Sequence, residues 1–310
     1  MTAQAQAQTY RRAPKKRRKS KIGAIAVPFL ITTLISSVIL GSIANYYYKK
    51  LTADNRKLDA MPCATASISE NDINEILFVM TPNEEIRKTA VLLLRFDPIR
   101  KTEYCVGIPT NMQIEHNNKK MTVDECAKTY GAAVLRDEVG AALDQKIDRY
   151  ISMNSDGFQK VVNIFGNAAV IVTVQDYGLT PSDSNVAQNL DSTQLETLIT
   201  SNKFYSESER SAVIGLAVAA LINQSNSKRI SSNLDGYFSA LINACDTDII
   251  AIDFSNHRHA IEYVFEHAVS PAKTYTVVGS ENKDGVFIID DSFNETLKSV
   301  FSQQSSDEYN

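Results

Sequence analysis

Residues 89–112 constrain the fold more than any other part of the chain. They contain an apolar run (90–94), a tight Asp97-Pro98 turn, and a second strand-like run that ends in Gly107-Ile108-Pro109-Thr110-Asn111. Short apolar runs bounded by turn residues are typical of strands in a sheet whose two faces are both covered. The segment therefore predicts two neighbouring strands, joined by a tight turn, near the centre of a sheet.

The rest of the domain alternates between strand-like and helix-like patterns. The sequence predicts strands at 75–80, 147–153 and 168–174, a hairpin at 273–280 and 286–290, and a polar loop at 176–190. It predicts helices at 122–130, where Gly131 ends the first, and then at 134–144, 155–165, 191–201, 206–224, 233–245, 255–267 and 292–303. Strands separated by helices predict a layered α-β-α domain around a mostly buried mixed sheet. We expect this α/β domain over 71–303, followed by a frayed tail at 304–310.

The N-terminal residues indicate a membrane anchor. Residues 1–21 carry eight Lys and Arg and no acid, whereas the rest of the chain has 24 Lys and Arg against 36 Asp and Glu. An uncharged stretch at 22–48 follows, long enough to cross a bilayer and ending in three tyrosines. These features predict a basic cytoplasmic tail (1–21), one transmembrane helix (22–48), a linker (49–70) and an outward-facing domain.

Two alternatives to this topology have weaker support in the sequence. A cleaved signal peptide would have a shorter apolar core followed by small residues, whereas Asn45 and the tyrosines follow this stretch. A basic block could also bind nucleic acid, but its position beside the apolar stretch is explained by the positive-inside rule. We therefore expect the membrane to be a partner, with no nucleic-acid partner.

The four cysteines are Cys63, Cys105, Cys126 and Cys245. An outward location permits disulfides, and four cysteines allow three pairings. Free buried thiols are the alternative, and the sequence does not decide between them. No CxxC motif occurs, which argues against a structural zinc site.

Several motifs resemble the LytR-CpsA-Psr (LCP) family. The two strands with their Asp-Pro turn and Ile-Pro ending are similar to the family's central strands. Four later segments also resemble family motifs in their order and spacing: 129–132, 148–158, 161–168 and 190–195. The resemblance covers about 71–223. It implies an anchored extracytoplasmic protein of the cell envelope that transfers polyprenyl-pyrophosphate-linked glycopolymers to peptidoglycan or a related acceptor.

The ionic residues of that family are mostly replaced here. Thr89 lies about where the family has its first Asp. Thr110 and Asn111 occupy the positions of its Arg-Asp pair. Thr200 falls near a later arginine. The family's Arg-x-x-Arg-Gln reads Glu207-Ser208-Glu209-Arg210-Ser211, so that Arg210 alone remains. Such chemistry needs guanidinium groups on the diphosphate and carboxylates on Mg²⁺. We expect Mg²⁺ only if the family site is functional.

The resemblance and the replacements together predict a binding or scaffold module whose transferase activity is impaired. The candidate ligand-binding residues are Thr89, Thr110, Asn111, Tyr130 and Arg210. If the alignment with the family is right, Thr89, Thr110, Asn111 and Arg210 should converge at the mouth of an apolar tunnel. The expected partners are a polyprenyl-linked glycopolymer or other envelope proteins. Two alternatives remain: an active phosphotransferase that uses Arg210, and a regulatory protein. His259, Glu262 and Glu266 share one face of the helix at 255–267 at a spacing that could suit a metal. Charged helix faces are usually solvated, however, and we predict no metal site there.

Overall fold

The computed structural model describes residues 68–171 and 187–302. The strands in these ranges are β1 (Asn74–Thr81), β2 (Ala90–Asp97), β3 (Thr102–Ile108), β4 (Gln113–His116), β5 (Lys119–Thr122), β6 (Arg149–Asn154), β7 (Ala168–Ile171), β8 (Ala187–Leu190), β9 (Asp246–Thr247), β10 (Ala272–Thr276), β11 (Gly279–Glu281) and β12 (Phe287–Ile289). The helices are α1 (Val123–Leu143), α2 (Ser155–Phe165), α3 (Ser192–Ile199), α4 (Glu207–Gln224), α5 (Ser227–Ser231), α6 (Leu234–Ile242), α7 (Ala251–His267) and α8 (Phe293–Ser302).

A six-stranded mixed sheet forms the centre, in the order β10-β3-β2-β1-β6-β9. The pairs β1–β2 and β2–β3 are antiparallel, whereas β6 runs parallel to β1 and β10 parallel to β3. The turn between β2 and β3 is stabilised by the Asp97 carboxylate, which accepts the backbone N–H of Arg100 at 3.1 Å. The two neighbouring strands predicted from residues 89–112 are therefore confirmed.

Helices cover both faces of this sheet. On one face Met80 and Leu92 pack with Ile214 of α4, and on the other Leu93 packs with Leu135 of α1 and Leu297 of α8. All six side chains are fully buried. Side chains of a strand alternate between the two faces, and the alternation of Leu92 and Leu93 supplies both cores. The predicted α-β-α layering is confirmed.

Two glycines bring α4 unusually close to β3. A Cβ atom on Gly107 would lie 1.7 Å from the carbonyl oxygen of Ser211, and one on Gly215 would lie 3.0 Å from that of Cys105. The close approach needs residues without a side chain on both elements. It places the N-terminal turn of α4 directly beside the end of β3.

Four local predictions differ from the structure. The helices predicted at 122–130 and 134–144 form one element, α1, with a break at Gly131, where φ is 81°. The described part of the run predicted at 168–174, residues 168–171, is not a central strand: β7 pairs with β8 in a separate two-stranded sheet, and Ile171 is half exposed. Part of the predicted loop at 176–190 is thus β8. The predicted hairpin at 273–290 is divided, because β10 joins the central sheet and β11 pairs with β12.

Several predictions concern residues outside the described ranges. The basic tail, the membrane span at 22–48, most of the linker and the tail at 304–310 lie there, as does Cys63. Within 68–171 and 187–302, no helix is both long and apolar enough to cross a membrane. Cys105, Cys126 and Cys245 are free thiols.

Candidate functional site

The site predicted from the sequence lies where β3 ends and α4 begins. Residues 109–112 form a turn in which Met112 donates its N–H to the carbonyl of Pro109 at 3.0 Å. Thr110 is buried in this turn, and its carbonyl accepts the N–H of Asp124 at the start of α1. The Thr110 hydroxyl therefore faces α4 from a fixed backbone.

Arg210 fills the space between this turn and the first turn of α4. Its side chain is 1% exposed. The guanidinium donates to Glu207 through Nε and Nη2 at 3.0 and 2.8 Å, and to the Thr110 hydroxyl at 3.0 Å. It also donates to two backbone carbonyls, those of Ile199 and Thr89, both at 2.9 Å. Each of its three nitrogens is thus bound within the protein.

Glu207 is the counter-ion of this arginine. It accepts the Thr110 hydroxyl at 2.8 Å and is paired with Lys88, which reaches it from the surface. Burial alone would raise the pKa of Glu207, but the charge of Arg210 and the hydrogen bonds from Arg210, Lys88 and Thr110 lower this pKa to about 2. Glu207 is therefore ionised at neutral pH and balances the charge of Arg210.

The two other threonines of the predicted site are buried and serve the backbone of this region. Thr89 contributes its carbonyl to Arg210, as described. The Thr200 hydroxyl donates to the carbonyl of Glu196 at 2.7 Å, and the Thr200 carbonyl accepts the N–H of Lys88 at 2.9 Å. The structure thus brings together Thr89, Thr110 and Arg210. We call these three residues with Glu207 the Arg210 cluster.

Asn111 and Tyr130 do not join this cluster. Asn111 donates to the Glu281 carboxylate at 2.9 Å and to the carbonyl of Gly285 at 2.8 Å, both in the β11–β12 hairpin. Tyr130 lies six residues beyond Asp124 on α1, about 9 Å along the axis, and its ring contacts His116. Thr110 and Asn111 are consecutive turn residues whose side chains point in different directions, which their adjacency in sequence did not reveal.

Glu207 stands where the family has the first arginine of its Arg-x-x-Arg-Gln motif, and no role for this carboxylate was predicted from the sequence. Its spacing from Arg210 was the available signal. Residues three apart on a helix are neighbours, and an acid and a base at that spacing form ion pairs. The pair closes the position where the family resemblance places a phosphate-binding arginine.

The residues of the cluster do not fit a Mg²⁺ ion. Magnesium is held by carboxylates and water in octahedral geometry. The one carboxylate of the cluster, Glu207, is already bound to Arg210, Lys88 and Thr110. Across the described part of the chain, no group of three or more His, Cys, Asp or Glu side chains is close enough to hold a metal ion.

An apolar cavity of about 330 Å³ lies under the same face of the sheet. Its walls come from β1, β2, β3, β6, α2 and α4, and from α6 and α7, whose Phe238 and Phe254 stack at 4.1 Å. Its volume lies at the lower end of the range for small-molecule sites, which are concave and mostly apolar. This chemistry suits a hydrocarbon chain.

The cavity and the Arg210 cluster are separate. On α4 the cavity begins at Val218, eight residues beyond Arg210, or about 12 Å along the helix axis. Met80, Leu92 and Ile214 fill the space between them and are fully buried. If the alignment with the family is right, Thr89, Thr110, Asn111 and Arg210 should converge at the mouth of an apolar tunnel. Thr89, Thr110 and Arg210 converge but Asn111 does not, and packed side chains separate the three from this cavity.

No protein-family model matches this sequence, and no curated protein sequence matches it either. Solved structures do share its fold. A transcription-regulator structure from Eubacterium siraeum has a TM-score of 0.65 at 16% identity, covering 78% of this chain and 95% of that one. The structure of B. subtilis TagV has a TM-score of 0.59 at 17% identity, covering 74% of this chain and 95% of that one. The structure of TagT bound to LI-WTA has a TM-score of 0.58 at 14% identity, covering 74% of this chain and 89% of that one.

TagV and TagT are LCP proteins. The resemblance that the motifs predicted is therefore confirmed at the level of the fold. At these identities the likeness concerns the fold alone, since one fold can carry several unrelated functions.

Proposed function

We propose that this chain is a membrane-anchored, outward-facing LCP-like module of cell-envelope assembly that binds and does not transfer. In this account the fold presents an apolar cavity to the hydrocarbon part of a lipid-linked envelope glycopolymer. The glycopolymer class is suggested by the fold shared with TagT, which has been solved bound to LI-WTA. The position of a phosphate-binding site is occupied by a closed ion pair.

One observation carries this proposal: Arg210 is 1% exposed and its three nitrogens are bound to Glu207, Thr110 and backbone carbonyls. A diphosphate needs guanidinium groups that can reach its oxygens. To bind one, Arg210 would have to leave Glu207, and the loss of one partner of a buried pair typically costs about 3–5 kcal/mol. The exposed cation nearest in the network, Lys88, is also paired with Glu207.

A competition experiment tests the binding mode. The full-length chain in detergent is given a polyprenyl-pyrophosphate-linked donor, and unlabelled polyprenol or inorganic pyrophosphate is added as competitor. We expect polyprenol to displace the donor and pyrophosphate to leave it bound, because recognition is of the hydrocarbon. Displacement by pyrophosphate would contradict the proposal. In a Val218→Trp variant the larger side chain fills the cavity, so this variant should lose donor binding.

The topology is tested by protease accessibility. Protease added to intact cells should digest the domain at 71–303 and leave an N-terminal tag before residue 21 intact. In lysed cells both should be digested. Protection of the domain in intact cells would contradict the outward orientation that we propose.

A further inference from the structure

The polar side chains of the cavity are paired, with one exception. Arg149 and Asp253 form a two-point ion pair, with both N···O distances at 2.9 Å. The side chains of Asn74 and His257 lie 3.2 Å apart, within hydrogen-bonding distance. Glu103 also lines the cavity, and its carboxylate forms no hydrogen bond or ion pair with any residue that the structure describes. This carboxyl group is the polar feature of the wall that a ligand could satisfy.

Glu103 is held firmly in place by its strand. It lies near the start of β3, opposite Phe96 on β2 and Ala272 on β10. Its backbone N–H donates to the carbonyl of Pro271 at 2.8 Å. It shares a face of the sheet with Cys105, two residues further along the strand. The side chain therefore points to the same side as the cavity walls.

The surroundings of Glu103 are apolar. Phe96 faces it from β2, Ile222 lines the cavity from α4, and Ile261 and Phe265 line it from α7. The charged groups of the cavity, Arg149, Asp253 and His257, belong to the other side, since β6 is three strands from β3, or about 14 Å. Desolvation raises the pKa of Glu103 to about 7. The Glu103 side chain is partly exposed and lines the cavity, so a ligand there can reach its carboxyl group.

We propose that the cavity binds an amphiphile whose chain lies along the apolar walls and whose hydroxyl or ammonium group donates a hydrogen bond to Glu103. This inference rests on the proposed function, in which the cavity takes a hydrocarbon chain, and adds what selects among such chains. A plain hydrocarbon leaves the carboxyl group without a partner. A chain with a donor satisfies it, so Glu103 determines ligand specificity.

The experiment uses the full-length chain in detergent micelles and three photoreactive dodecyl probes. The probes differ at one terminus, which is a hydroxyl, an ammonium or a methyl group. Labelling of cavity residues such as Leu221 and Phe254 is quantified by mass spectrometry in the wild type and in Glu103→Leu. Comparing the two proteins with one probe at a time cancels the partitioning of that probe into micelles.

We expect Glu103→Leu to lower hydroxyl and ammonium labelling about tenfold, the usual effect of losing a hydrogen bond to a charged group. Methyl labelling should not fall. Glu103→Gln keeps an acceptor, so it should retain hydroxyl labelling and lose most of the ammonium labelling. Glu115→Gln, at an exposed position on β4, should change none of the three.

A second measurement follows the ionisation of Glu103. Wild-type labelling by the ammonium probe should rise between about pH 6 and about pH 8, because the carboxylate form pairs with the ammonium. The hydroxyl probe should show no such rise, and Glu103→Leu should abolish it. A variant that had merely lost its fold would lose labelling by all three probes.

Two results would overturn the inference. If Glu103→Leu is labelled by the hydroxyl and ammonium probes as strongly as the wild type, Glu103 does not select the ligand, although cavity binding stands. If none of the probes labels the cavity of the wild type, binding of a hydrocarbon chain fails as well, and the proposed function fails with it.

Discussion

At the residue scale, the charge of Arg210 is balanced inside the protein. Its guanidinium is bound by a carboxylate, a hydroxyl and two carbonyls, and none of these partners is a ligand. The sequence identified Arg210 and Thr110 as neighbours through the family resemblance. It could not show that Glu207 pairs with Arg210 or that Asn111 turns toward the β11–β12 hairpin, because both depend on side-chain directions at a turn and a helix start.

The buried pair predicts strongly non-additive substitutions. Glu207→Leu leaves Arg210 as an uncompensated buried charge and should destabilise the protein by about 3–5 kcal/mol. Arg210→Met should have a comparable cost, since it removes the counter-ion of the buried Glu207 and leaves the carbonyls of Thr89 and Ile199 without this donor. The double variant should cost less than the sum by at least about 1 kcal/mol. Urea unfolding measures all three, and Glu115→Ala should stay within about 0.5 kcal/mol of the wild type. An additive double variant would contradict the assigned pairing.

The same pair predicts an acid dependence. The pKa of Glu207 is about 2 in the folded protein and near its usual 4.5 in the unfolded chain. The unfolded state therefore binds more protons at low pH, so the stabilisation is complete above about pH 4.5 and is lost as the pH falls toward 2. Its size is up to about 3 kcal/mol. Unfolding free energies at a series of pH values should show this loss in the wild type. The variant with both Glu207→Leu and Arg210→Met should lack the part of this loss that the protonation of Glu207 causes. An equal loss of unfolding free energy in both proteins would contradict the prediction.

At the scale of elements, the contact between α4 and β3 positions everything else on this face of the sheet. The two strands predicted on either side of the Asp97-Pro98 turn and the helix at 155–165 agree with the structure, because their periodicity and caps are local signals. The prediction that 168–174 is a strand covered on both faces was wrong for its described part, 168–171, because a continuous apolar run does not reveal how many of its sides are covered. β7 instead packs along α4, where Gln224 binds the backbone of Ala169. Partners far away in sequence decided that outcome.

The α4–β3 contact predicts a severe effect of one methyl group. In Gly107→Ala the new Cβ would lie 1.7 Å from the Ser211 carbonyl oxygen, so α4 would have to move away from the sheet. We expect a loss of at least about 3 kcal/mol, at the upper end for overpacking. Gly285→Ala is the matched control, since it meets no atom within 4 Å and carries only the strain of a positive φ, about 1–2 kcal/mol. Thermal unfolding measures the stability of both variants. Equal stabilities would contradict the close contact between α4 and β3 at Gly107.

At the scale of the whole molecule, the fold is shared with solved LCP structures, whereas the candidate site differs from what the family resemblance implies. The chain has the layered fold of TagV and TagT, yet the position expected to bind diphosphate is closed by Glu207 and lies apart from the apolar cavity. The sequence could predict the layers and the replaced residues from local patterns and motifs. It could not predict the cavity or the side chains that isolate it, because packing joins residues from eight elements.

Turnover by the purified full-length chain tests the central claim most directly. The chain is incubated with a polyprenyl-pyrophosphate-linked glycopolymer, Mg²⁺ and peptidoglycan, and covalent transfer is measured beside a transferase of the same fold as positive control. We predict that transfer stays at the level without protein, in the wild type and in Arg210→Met alike. Metal-dependent transfer by the wild type that Arg210→Met abolishes would contradict the account, because it would show that Arg210 leaves Glu207 to serve a substrate.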